Sequence, residues 1–213
     1  MIDSLPRRRT LPFSVSVAIA AVAGLAVGGV TLGMQGTLPG VLNHLGNSGA
    51  VWSLAAFGAG AILPVRGWRA AVAGTLLLAC AVIGYYGSTT LFHHDDVNGS
   101  TLLGPALWIG VAAVAGPIFG TAGALSRGDR PTYRAVALGA LGAVFIAEGL
   151  YLAVALHQAG ETALMVALGV VMPPLLGRSA ADRLRGLAAL VPLTLLGAVA
   201  EGLVYLLSRL VFR

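Results

Sequence analysis

No aspartate, glutamate, lysine or arginine lies between Arg9 and Arg66, and beyond that point the charges gather mainly in short segments between apolar runs. This pattern decides the fold class before any motif is considered. A hydrocarbon layer of about 30 Å is crossed by roughly 20 apolar residues in a helix that rises about 1.5 Å per residue. Within that layer every backbone N–H and C=O must be bonded inside the protein, which a helix does by itself. With 57% hydrophobic and 10% charged residues over 213 positions, the chain lies outside the soluble range, in which about a quarter of residues are charged. The expectation is an all-α, polytopic transmembrane helix bundle of about seven helices, with no soluble catalytic domain.

Residues 1–10 form a short polar segment, expected in the cytoplasm, and 11–213 a single bundle domain. Helices are expected at about 11–34, 49–65, 70–92, 101–125, 134–157, 162–176 and 186–208. Arg7, Arg8 and Arg9 precede the first run as they would in a signal peptide, but a run of about 24 residues exceeds the usual apolar region of roughly 7–15, which favours an uncleaved helix. Its Ala20, Gly24 and Gly28 form a small-residue face for close helix packing. Asn47 or Ser48 is expected to cap the second helix. Arg66 and Arg69, then Arg127, Arg130 and Arg134, then Arg178, Arg183 and Arg185 fall on every second turn. The positive-inside rule then gives a multi-pass protein of the bacterial cytoplasmic membrane with a cytoplasmic N-terminus. The second and sixth segments are the weakest crossings, and loss of either gives six.

After the first helix the chain reads as three helical hairpins in pseudo-repeat. Arg69 precedes Gly84-Tyr85-Tyr86, Arg134 precedes Glu148-Gly149-Leu150-Tyr151, and Arg185 precedes Glu201-Gly202-Leu203-Val204-Tyr205, each by about 14–16 residues. This spacing puts the three groups at one depth, roughly 20–25 Å from the arginines. Repeats with interrupted helices in matching places are a pointer to transporter sites.

Asn47-Ser48-Gly49-Ala50-Val51-Trp52-Ser53-Leu54-Ala55-Ala56-Phe57, Gly84-Tyr85-Tyr86, Gly116-Pro117-Ile118-Phe119-Gly120 and Ala147-Glu148 resemble a family of small polytopic membrane proteins of actinobacteria, classified as a domain of unknown function. The resemblance covers most of the chain. It implies a membrane location and no activity.

Glu148 and Glu201 are acids inside apolar helices, with no arginine in the apolar stretches to pair with them. Such groups are costly and mark functional sites by default. With Tyr151, Tyr205, Tyr85 and Tyr86 they are the candidate ligand or proton site, the acids being expected as neutral groups bonded to a tyrosine, a carbonyl or a loosened glycine. His44, His93, His94, Asp95 and His157 fall in the outer layer, where imidazole and carboxylate suit a transition metal or pH sensing. Trp52 and Trp108 join Tyr85 and Tyr86 as candidates to line a pocket.

No phosphate loop, nucleophile elbow or HExxH is present, so no enzyme and no cofactor are expected. All thirteen basic residues are arginine, which reads as topology and not as nucleic-acid binding. The expected partner is the lipid bilayer, and a membrane-protein partner or a second copy fits the small-residue faces. Two functions follow: a small carrier or substrate-binding subunit using the glutamates, or a non-transporting scaffold or accessory subunit in which they tie helices together.

Overall fold

The computed structural model describes residues 11–93 and 102–211, and the side chains of 11–92 and 102–210. Among them there is no strand. The helices are α1 (Phe13–Met34), α2 (Gly49–Ile62), α3 (Trp68–His93), α4 (Leu103–Ser126), α5 (Pro131–Tyr151), α6 (Ala159–Leu176) and α7 (Ala180–Val211). A 3₁₀ segment (Gly40–Asn47) precedes α2, and one π-helical stretch (Leu152–Leu156) extends α5. Six of these helices, all but α2, are long and apolar enough to cross a membrane, and the protein is a helical membrane bundle.

The chain is one leading helix followed by the hairpins α2/α3, α4/α5 and α6/α7, each closed by an arginine-bearing turn. Those turns meet at one end of the bundle. The Arg69 guanidinium lies 5.3 Å from the ring centre of Phe13, at the start of α1. Arg127 donates to the Val65 carbonyl of the first turn. Arg134 donates to both carboxylate oxygens of Asp182, at 3.0 and 2.9 Å, and to the Gly128 carbonyl. The Asp182 N–H in turn donates to the Ser179 Oγ at 3.1 Å, a cap at the start of α7, which begins at Ala180, six residues before the expected 186.

Glycine brings the helices together. Gly24 and Gly28 of α1 are buried against the α3 backbone at Leu77 and Ala81, as the small-residue face predicted. A Cβ on Gly60 of α2 would strike the Gly120 carbonyl of α4, and one on Gly123 the Phe57 carbonyl of α2. These contacts bury Ala56 and Phe57 and let α2 lie deep among α3, α4 and α5. Pro117 lies inside a continuous α4.

The difference from expectation that shapes the site is the length of α2. It ends at Ile62 and not 65, because Leu63 precedes Pro64 and takes an extended conformation (φ −68°, ψ 146°), the geometry a following proline enforces. Fourteen residues span roughly 21 Å. Starting from the arginine end, α2 stops short of a 30 Å layer, and its N-terminus falls inside the bundle.

Candidate functional site

A helix that ends inside an apolar bundle leaves its first N–H groups without partners unless side chains supply them. Ser48 caps α2 in the ordinary way, its Oγ accepting from Val51 N at 3.2 Å. The second acceptor comes from α5. Glu148 Oε2 accepts from Ala50 N at 2.7 Å and from Ser48 Oγ at 3.1 Å. Its Oε1 lies 2.6 Å from His44 Nε2. Ser48 and Ala50 are fully enclosed, and Glu148 is 5% exposed.

Two of the groups facing this carboxyl are donors, the Ala50 N–H and the Ser48 hydroxyl, and the third, His44 Nε2, donates or accepts according to its tautomer. The N-terminal end of a helix carries the partial positive charge that suits a carboxyl oxygen. The tyrosine, carbonyl or loosened glycine expected beside Glu148 is therefore replaced by the N-terminus of α2, Ser48 and His44. The His44 imidazole gives its shortest side-chain contact, donating from Nε2 in the tautomer or imidazolium that carries a proton there and accepting in the other.

His44 is placed by the 3₁₀ segment, and that segment is held from two sides. Gln35, at the end of α1, donates through Nε2 to the Gly46 carbonyl at 3.0 Å and accepts from Tyr85 OH at 3.1 Å. Gly36 N donates to Asn43 Oδ1 at 2.6 Å. Tyr85 thus reaches the imidazole-bearing segment from α3 without touching Glu148.

Beside this junction lies a cavity of about 120 Å³ between α2, α3 and α4. Ser48, Trp52, Tyr85, Tyr86 and Trp108 are among the residues that line it. The rings stand edge to face, with Trp52 and Tyr85 centres 6.2 Å apart and Tyr85 and Tyr86 5.2 Å apart. Trp52, Tyr85, Tyr86 and Trp108, the candidates for a pocket lining, therefore converge on one space, whereas Tyr151 and Tyr205 do not line it.

The family of unknown function DUF6518 matches residues 7–209. The chain belongs to that family. No curated protein and no solved structure matches it.

The remaining candidates of this DUF6518 member are distributed as follows. Helices α5 and α7 pack in parallel, with Ala147 against Gly197 and Tyr151 and Tyr205 5.6 Å apart. Glu201 thus stands at about the level of Glu148, but Glu148 is turned to α2. Glu201 is half-buried and has no hydrogen-bond donor among the described residues. Arg209 stacks on Tyr205, its guanidinium 5.7 Å from the ring centre.

The suggested metal ligands are not brought together among the described residues, where no three histidine, cysteine or acidic side chains share a site. His44 is committed to Glu148. His157 ends the π-helical stretch in a left-handed conformation (φ 54°). The His93 side chain, His94 and Asp95 lie outside the described residues.

Proposed function

We propose that the protein is a small carrier or ligand-binding subunit of the bacterial cytoplasmic membrane, its arginine end facing the cytoplasm, in which Glu148 and Glu201 are the proton- or cation-responsive groups. The observation that carries this reading is the carboxylate–imidazole contact at the buried N-terminus of a short helix. Half-helices whose N-termini face an anion at membrane depth are a recurring way to build a substrate site. Here the anion belongs to the protein, so a proton or a cation that reaches Glu148 competes directly with the cap of α2. Loss of that cap loosens α2 against α3 and α4, where the aromatic cavity lies.

One observation favours the other reading, a non-transporting accessory subunit. Neither carboxyl lines the aromatic cavity, and Glu148 ties α5 to α2 in an enclosed contact.

Reconstituted vesicles with an internal pH dye separate the two. A carrier takes up protons under an imposed gradient faster than empty vesicles, and Glu148→Gln and Glu201→Gln slow it. Uptake equal to that of empty vesicles, or unchanged in both variants, overturns the carrier reading.

A further inference from the structure

We propose that the cavity bounded by Trp52, Tyr85, Tyr86 and Trp108 binds a quaternary ammonium group. Two tryptophans and two tyrosines surround a volume of about 120 Å³, well below the roughly 300–1,000 Å³ of a site for drug-sized ligands. The occupant is therefore a small head group. The ring faces of tryptophan and tyrosine carry negative potential, and cages of such rings recognise methylated ammonium ions.

Charge argues in the same direction. No arginine or histidine lines the cavity. The ionisable group nearest to its lining in the hydrogen-bond network is Glu148, which accepts from the Ser48 hydroxyl at one edge of the cavity. An anion would meet no cation in the lining, and the Ala50 and Val51 N–H groups at the start of α2 are already taken. A strongly hydrated inorganic cation would need several oxygen ligands, and beside Asn47, Ser48 and Ser53 the lining is mostly rings and aliphatic side chains. A quaternary ammonium has no N–H of its own that needs an acceptor there.

The group has two sources, a free small cation or the choline head group of a lipid. Both present the same methylated nitrogen. The proposal deepens the ligand-binding reading above by naming the class of ligand.

The test titrates the full chain in dodecylmaltoside with tetramethylammonium chloride, against sodium chloride at equal ionic strength, and follows tryptophan fluorescence. A saturable change is expected with tetramethylammonium and not with tert-butanol, a neutral molecule of similar shape. Tyr86→Leu keeps all tryptophans and is expected to weaken binding by roughly 3- to 30-fold, while Tyr86→Phe, which keeps the ring face, retains it. Equal responses to tetramethylammonium and tert-butanol, a saturable response only to phenol or indole, or no saturable response at all overturns the proposal. The comparison between ligands needs no variant, so it stands even if Tyr86→Leu does not fold.

Addition of phosphatidylcholine, with phosphatidylglycerol as control, identifies the source. Competition by phosphatidylcholine alone supports a lipid head group, and its absence supports a free cation. Tetramethylammonium binding without proton uptake by vesicles rejects the carrier reading and keeps this one. The converse result rejects this one alone.

Discussion

His44 Nε2 and Glu148 Oε1 stand 2.6 Å apart although 104 positions separate them in sequence. The contact joins the 3₁₀ segment before α2 to the interior of α5. It adds the imidazole to the Ser48 hydroxyl and the Ala50 N–H as partners of the Glu148 carboxyl, all with few alternatives at that depth. Removing the acceptor therefore costs more than the loss of a typical hydrogen bond. Glu148→Gln keeps the shape but turns an N–H toward one of the donors, and we predict a loss of about 1–3 kcal/mol, the penalty for a buried unsatisfied group. Glu148→Ala leaves all three unpaired and exceeds it. Thermal unfolding in detergent measures both, and melting temperatures equal to wild type would refute the cap.

The same contact predicts coupling. His44→Ala and Glu148→Gln remove two ends of one interaction, so their effects should not add. The double variant is expected to be more stable than the sum of the singles implies, by about 0.5–3 kcal/mol. His157→Ala, at the end of the π-helical stretch, should add to Glu148→Gln within error. A cycle that closes to zero for His44 separates the imidazole from the carboxylate.

Much of this architecture was legible because it follows from one-dimensional rules. Apolar run length predicts the bundle, and arginines on alternate turns predict that Arg69, Arg127 and Arg134 share an end. The spacing of Glu148 and Glu201 from Arg134 and Arg185 predicts a common level, and the parallel packing of Ala147 on Gly197 agrees. The partner of Glu148 was not legible. His44 lies in an irregular segment with no periodicity to place it, and its uncharged neighbours read as a surface loop. Nor did hydropathy distinguish a short α2 from a full crossing, since Leu63 and Val65 are as apolar as the helix. Pro64 was the available signal, and reading it as a stop leaves the N-terminus of α2 inside the bundle.

Helix α2 holds its depth through glycine, which sets up a paired prediction within one helix. Gly60→Ala places a methyl group against the Gly120 carbonyl of α4, and neither backbone has room to give way. We predict a loss of about 1–3 kcal/mol, as for other overpacked sites. Gly58, two residues earlier, has nothing within 4 Å of an added Cβ. Gly58→Ala should be neutral or gain up to about 1 kcal/mol from helix propensity. A Gly60→Ala variant as stable as Gly58→Ala would place α2 farther from α4 than described.

At the opposite end of the bundle, Arg134 and Asp182 form a bidentate ion pair between the starts of α5 and α7, with Asp182 only 1% exposed. In the sequence Asp182 is a lone acid in a basic turn, and nothing in its spacing distinguishes it from Asp129. The structure does: Asp129 is exposed and lies in the neighbouring turn. Breaking an enclosed pair by removing one partner leaves a charge without compensation, whereas removing both does not. Asp182→Asn should therefore lower the melting temperature clearly, and Asp129→Asn should leave it unchanged. The double variant Arg134→Gln with Asp182→Asn should melt at or above the less stable of the two single variants. A double variant that melts below both singles would mean that Arg134 acts mainly through the Gly128 carbonyl, and that the closure of α5 on α7 does not depend on the pair.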